Sequence, residues 1–258
     1  MTTDRSDLFW LSSFCAERKL EKKYLIVPSY QVGHQIGEAL AKEGGSWVNL
    51  HFVTLPALAQ EVAGAELSKR GIKYISRTGT FFLVDKIFRR LKTQKKFRYF
   101  GDIEATTGII QAIRHSINAV RMAGLKGQDL KASWFINDRK GEEVILLLQA
   151  YEEEQEKENL IDLPGLYELA LKKIGERQGT RVSEKQGGQQ KAEKARQATR
   201  EFYLTFQDRP IEGLEREFIK RLAGDNLVLV PQDPVHGLVR PKRMWDVGPQ
   251  PPLQAPSA

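Results

Sequence analysis

Two short apolar runs, each leading directly into a helical pattern, constrain this chain more than any other feature. Tyr24, Leu25, Ile26 and Val27 form the first run, Pro28 and Ser29 break it, and Val32, Ile36 and Leu40 then repeat at the spacing of one helix face. In the second, Trp47, Val48, Leu50, Phe52 and Val53 lead to a turn at Thr54, and Leu55, Leu58 and Val62 follow on a helix. Tandem strand–helix units predict parallel strands with crossover helices, because parallel neighbours need a connection of about a dozen residues or more. Ligands of such sheets sit beyond the carboxyl ends of the strands. Ser29, Tyr30 and Thr54 are therefore the first candidate contacts, with His34 one turn further on.

The rest of the chain sorts around that start. Residues 6–19 read as a helix capped by Ser6 or Asp7, with Leu8, Leu11 and Cys15 on one side. Gly64 to Gly71 closes the second crossover helix, and Ile72 to Ile75 adds a short extended piece. Ser76 then caps a helix in which Phe81, Val84, Phe88 and Leu91 recur at helical spacing. Ile110, Ile113, Ile117 and Val120 line a further helix that stops at Gly124. Asn137 or Asp138 opens another carrying Val144, Leu147, Leu148 and Tyr151, with an acidic end, Glu152 to Glu158, that reads as solvated. A last helix runs from Pro164 to Gly175. Residues 77–175 are thus expected to be an all-helical insertion, and 176–200 a disordered basic loop with little to bury. Strand and helix patterns return in Phe202 to Phe206, from Pro210, and in Leu227 to Val230. The expected fold is α/β: one domain in two segments, 1–76 and 201–230, with a Pro-rich tail over 231–258.

Charge narrows the partners less than the pI near 9.4 suggests. Seven basic residues against Glu184 and Glu193 between Arg177 and Arg200 account for +5 of the net +7, which leaves the body near neutral. That segment reads as a solvated linker. The segment FRRLKTQKKFR, Phe88 to Arg98, is different: it holds Arg89, Arg90, Lys92, Lys95, Lys96 and Arg98 without an acid. Beside Phe97 and Tyr99 it suits a phosphate backbone with bases on aromatic faces, or else a solvated helix end favoured by the dipole.

Catalytic chemistry is sparse. No G-x-x-x-x-G-K-[ST] string exists to cradle phosphates. The Glu-x-Lys triplets at Glu17 to Lys19 and Glu21 to Lys23 lack the acidic strand a metal nuclease needs, and Asp208 reads as a turn opener. His51 and His115 have no partners at suggestive spacing, and no Ser-His-Asp or Cys-His set can be assembled. No cofactor is expected in this chain. A single Cys15, no apolar run long enough for a membrane span and no leader-like start point to the cytoplasm.

The order of elements, with Leu25-Ile26-Val27-Pro28-Ser29-Tyr30, Val53-Thr54-Leu55, Ala57-Leu58-Ala59, Leu147-Leu148-Gln149-Ala150-Tyr151 and Asp162-Leu163, resembles the N-terminal region of AddB-like proteins over residues 20–230. These are B subunits of bacterial ATP-dependent helicase/deoxyribonuclease complexes, related to superfamily 1 helicases and ending in a PD-(D/E)XK nuclease domain. The resemblance implies a P-loop NTPase-like (helicase 1A) parallel sheet that lacks the phosphate loop, with a 1B-like helical insertion. Pro28 to Tyr30 would match helicase motif Ia, Thr54 motif Ib, and Phe202 to Leu222 the Walker B region, with Thr205 or Phe206 at the carboxylate position and the family's Leu-Glu pair at Leu214 and Glu215. It implies a non-catalytic piece without its nuclease domain, which engages single-stranded or double-strand-end DNA in recombinational repair beside a helicase–nuclease partner. Ser29, Tyr30, His34, Thr54, Arg89, Arg90, Lys95 and Lys96 would hold the DNA. The competing reading is a protein-interaction scaffold that docks a helicase partner without touching DNA.

Overall fold

The computed structural model describes residues 5–42, 44, 47–184, 200–207, 209, 211 and 213–231. Among these, four strands form one all-parallel sheet: β1 (Lys22–Ile26), β2 (Leu50–Val53), β5 (Glu201–Phe206) and β6 (Leu227–Val230), in the order β2-β1-β5-β6. β1 pairs with β2 in the register Ile26 to Val53, and with β5 in the register Leu25 to Leu204. β3 (Lys73–Tyr74) and β4 (Leu160–Ile161) form a second, two-stranded parallel pair.

Alternation along the strands assigns each face its cover, since successive side chains point to opposite sides. Leu25, Val27, Phe202, Leu204 and Phe206 meet α1 (Arg5–Glu17) and α2 (Tyr30–Lys42), where Leu8, Leu11, Cys15, Ile36 and Leu40 are buried as the helical spacing predicts. Ile26 and Tyr203 point the other way, onto α3 (Leu55–Arg70), α7 (Leu163–Glu184) and α8 (Gly213–Ala223). The result is a three-layer α/β/α body. A separate core joins α4 (Arg77–Thr93), α5 (Thr107–Met122) and α6 (Asp138–Lys157), with Phe88, Phe97 and Phe100 in mutual ring contact.

Several expectations shift. α1 already begins at Arg5, so Ser6 and Asp7 lie within its first turn and not ahead of it. Trp47 and Val48 precede β2 and are exposed, because the paired strand starts only at Leu50. α7 runs through Gly175 to Glu184, nine residues into the segment expected to be loop; 185–199 lie outside the described residues. α7 also packs on α3 and α8, in the body and not in the inserted block, because Leu166, Leu169, Ala170 and Ile174 supply an apolar face to the sheet layer. The inserted block is therefore α4 to α6, entered past β3 and left into β4. Ile75 N–H donates to the Ile161 carbonyl at 2.8 Å and seals that neck. Nor is the acidic end of α6 solvated throughout: Glu154 is buried and bonds Lys86 at 2.7 Å and Arg90 at 2.6 Å. No helix among the described residues is long and apolar enough to cross a membrane.

Candidate functional site

The carboxyl edge of the four-stranded sheet gathers the strand-to-helix corners on one rim. Val27 N–H donates to the Val53 carbonyl at 2.8 Å, so the corner after β1 and the corner after β2 are direct neighbours. Both corners are helix caps. The Ser29 hydroxyl accepts from Val32 N–H at 3.3 Å at the start of α2, and the Thr54 hydroxyl accepts from Ala57 N–H at 3.3 Å at the start of α3. A capping oxygen satisfies one of the four free N–H groups at a helix start; α2 keeps the others at the positive end of its macrodipole, whereas at α3 Pro56 supplies no N–H and leaves fewer donors. Two helix starts thus lie side by side on the rim. Gly33 brings α2 hard against β2: a Cβ there would come within 2.6 Å of Phe52 Cβ.

Tyr30 stands on the rim with 60% of its surface exposed. His34, one turn along the same helix face, is exposed and sits 3.4 Å from Glu38. His34 therefore has an acidic neighbour that the sequence spacing alone also contains, at i+4.

The connection reverses direction between β1 and β5: one crossover leads from β1 out to β2, the other back across to β5 and β6. Crevices at such reversal points are where open α/β sheets bind ligands. On the β5–β6 side a cleft of about 510 Å³ is lined by Thr205, Gln207, Arg209, Arg216 and Lys220 among others. It contains three cations and no carboxylate among its described lining residues. Arg216 Nε donates to the Ile211 carbonyl at 2.9 Å, which holds its side chain across the loop after β5. Thr205 Oγ1 is buried with no hydrogen-bond partner among the described residues. Sequence reading missed Arg216 and Lys220; their i, i+4 spacing on the helix that follows β5 was the available signal. Asp208 and Pro210, singled out by sequence, lie outside the described residues.

The basic segment of α4 is not on this rim; α4 packs with α5 and α6 in the inserted block. Its cations divide into tied and free. Arg89 Nε bonds both Asp85 oxygens, at 2.9 and 3.0 Å, and its Nη2 reaches the Ala105 carbonyl at 3.1 Å. Arg90 is committed to Glu154, and Lys92 to the Ile103 carbonyl at 2.7 Å. Hydrogen bonds from Lys86 and Arg90 hold the Glu154 carboxyl down at about 2. Lys95 and Lys96 are exposed, in the turn where Lys95 takes a φ of 56°. Phe97 is buried in the block core, so it offers no face to a base; Tyr99 stays 40% exposed. The Glu143 carboxylate fixes this turn by accepting from the N–H groups of Arg98, Tyr99 and Phe100, the last at 2.9 Å.

The remaining sequence candidates resolve into structural roles. Lys23 is fully buried and donates to the carbonyls of Arg18 and Glu21, so its triplet stitches the turn between α1 and β1. His51 lies exposed in β2 beside Tyr24. His115 does have a partner, Arg77, at 3.3 Å. No group of His, Cys, Asp and Glu among the described residues could hold a metal ion. A scan of protein-family models matches none to this chain, and no curated protein matches it.

Proposed function

We propose that the chain is a non-catalytic, DNA-engaging module similar to the N-terminal helicase-like part of AddB-like subunits, with a single strand lying along the carboxyl rim of its sheet. The P-loop NTPase-like identity of the sheet and the role in double-strand-end processing belong to the same proposal. The observation that carries it is the adjacency of the α2 and α3 starts through the Val27–Val53 hydrogen bond, with exposed Tyr30 beside them. Helix starts attract phosphate through outward N–H groups and the macrodipole, and an exposed tyrosine offers a face on which a base stacks. Arg209 and Arg216 would extend the track past the reversal point, and Lys220, in the last turn of α8, would meet a strand that runs on down the cleft beside β6. Four strands about 4.8 Å apart make an edge of roughly 14 Å, enough for several stacked nucleotides at about 3.4 Å each.

Of the block's cations, Lys95 and Lys96 would assist; Arg89 and Arg90 are spent on Asp85 and Glu154. The scaffold reading draws on one observation, that the Ser29 and Thr54 hydroxyls already serve as caps.

Salt separates the two. With about three phosphate contacts, log affinity for single-stranded DNA falls with log salt at a slope near −2, so a fourfold rise in salt weakens binding roughly 20-fold. Fluorescence anisotropy with a labelled oligothymidine measures this. Lys220→Ala is expected to flatten the slope by about 0.7 and Tyr30→Ala to weaken binding at every salt concentration. Absence of binding at low salt leaves the scaffold.

A further inference from the structure

α5 carries two arginines on its buried face, Arg114 and Arg121, two turns apart and only 5% and 6% exposed. Arg121 is fully answered. Its Nη1 donates to Asp162 Oδ2 at 2.7 Å and to Gln155 Oε1. Asp162 in turn accepts the Tyr151 hydroxyl at 2.9 Å and, through Oδ1, the Gly165 N–H at 3.1 Å in the first turn of α7. At the start of α7, then, the chain supplies its own anion to a buried guanidinium and a helix end.

The start of α4 lies at the end of the neighbouring strand, β3, and has the same ingredients without the anion. Ser76 caps it, accepting from Gly79 N–H at 3.2 Å. Arg77 occupies the first turn, and its Nη2 lies 3.3 Å from His115 Nε2. Arg114 Nη2 is buried and makes no hydrogen bond among the described residues. No ion pair joins Arg77, Arg114 or His115 to a carboxylate among those residues. Burial and then the charge of Arg77 push Arg114 down from its ordinary value; burial, Arg114 and Arg77 do the same to His115. A buried charge without a counter-ion is costly, and here two cations and an imidazole lean on one another beside the positive end of a 17-residue helix.

We propose that Arg77, Arg114 and His115, with the N-terminal turn of α4, form a binding site for one phosphate group. The planar guanidinium fork matches tetrahedral oxyanions, and outward N–H groups at a helix start add donors without charge. The site is separate from the rim, and a free phosphate or a phosphate of a nucleotide chain presents the same chemistry to it.

The test uses the full chain in phosphate-free buffer, with chloride at matched ionic strength as the control. Inorganic phosphate is titrated while the thermal midpoint and the heat of binding are followed. Expected is a saturable rise in midpoint that chloride does not produce. Arg77→Gln, an exposed change, is expected to weaken phosphate affinity at least tenfold and leave the phosphate-free midpoint unchanged. Arg114→Met is expected to match or exceed the wild-type midpoint without phosphate and to lose the phosphate response. A purely structural Arg114 does the reverse: Arg114→Met then melts early, and Arg77→Gln responds to phosphate as wild type does. That result, or no saturable response in the wild type, overturns the site. Competition by oligothymidine lacking terminal phosphates assigns the site to backbone phosphates; competition only by 5′-phosphorylated oligothymidine and free phosphate assigns it to terminal or free ones. Because Tyr30 and Lys220 lie elsewhere, their variants leave the phosphate response intact.

Discussion

Asp162→Ala is the single substitution from which the largest loss of stability is expected. The carboxylate is 4% exposed and accepts three hydrogen bonds, from Arg121, Tyr151 and Gly165. Its removal leaves the guanidinium of Arg121, itself 6% exposed, with only the neutral Gln155 oxygen, and takes away the acceptor for the Tyr151 hydroxyl proton, so that this wholly buried group keeps only the bond it accepts from Gln155 Nε2. Breaking a buried pair by deleting one partner costs about 3–5 kcal/mol, chiefly as uncompensated desolvation of the survivor. Against a total stability of about 5–15 kcal/mol that is a large share, and it corresponds to a fall of roughly 10 °C in melting temperature. Urea denaturation with an unchanged m-value measures the cost, and a double-mutant cycle with Arg121→Met isolates the pair, with an expected coupling of about 2 kcal/mol. A loss below 1 kcal/mol for Asp162→Ala, or no coupling to Arg121→Met, would refute the reasoning.

Glu154 supplies a pH test. Its folded carboxyl, held at about 2 by Lys86 and Arg90, lies below its ordinary value of 4.5, so it contributes stability above pH 4.5 that is lost as pH falls towards 2. Acid titration of the denaturation midpoint should show a shallower fall for Glu154→Gln than for wild type over that window; parallel curves would rule out the pairing. Gly33→Ala brings a methyl to within 2.6 Å of Phe52 Cβ, an atom that every residue but glycine keeps, and is expected to cost about 1–3 kcal/mol by urea denaturation. A loss below about 0.5 kcal/mol would mean that α2 can step away from β2.

Much of the fold was legible because it rests on local periodicity. The Ser76 and Asn137 caps, the Gly71 and Gly124 stops and the buried stripe Ile110, Ile113, Ile117 lie where spacing puts them. What could not be read is whatever depends on a distant partner. α7 carries an apolar face that would suit either layer, and only its docking on α3 and α8 assigns it to the body. The cations of Phe88 to Arg98 form one unopposed block in sequence, yet Glu154, 64 positions from Arg90, takes one of them out; only the Asp85–Arg89 pair, at i, i+4, was local enough to read. The acidic run at the end of α6 hid that partner, because solvated and buried glutamates share one local signature. The rim corners were visible as turns; that they are neighbours follows from the pairing of β1 with β2, which no local pattern encodes.

The central pairing of the sheet also sets an order of events during synthesis. β1 is complete by residue 26, but its second neighbour, β5, begins at Glu201, about 175 residues later. At roughly 5–20 residues per second, a ribosome needs on the order of 10–35 s to deliver it. Throughout that interval β1, β2, α2 and α3 can assemble with one flank of β1 unpaired, a row of backbone donors and acceptors open to any passing strand. The inserted block, with its own core and its ends joined at the β3–β4 neck, can meanwhile condense without the sheet. Nascent chains halted between residues 75 and 200 should therefore be the ones that a chaperone must shield.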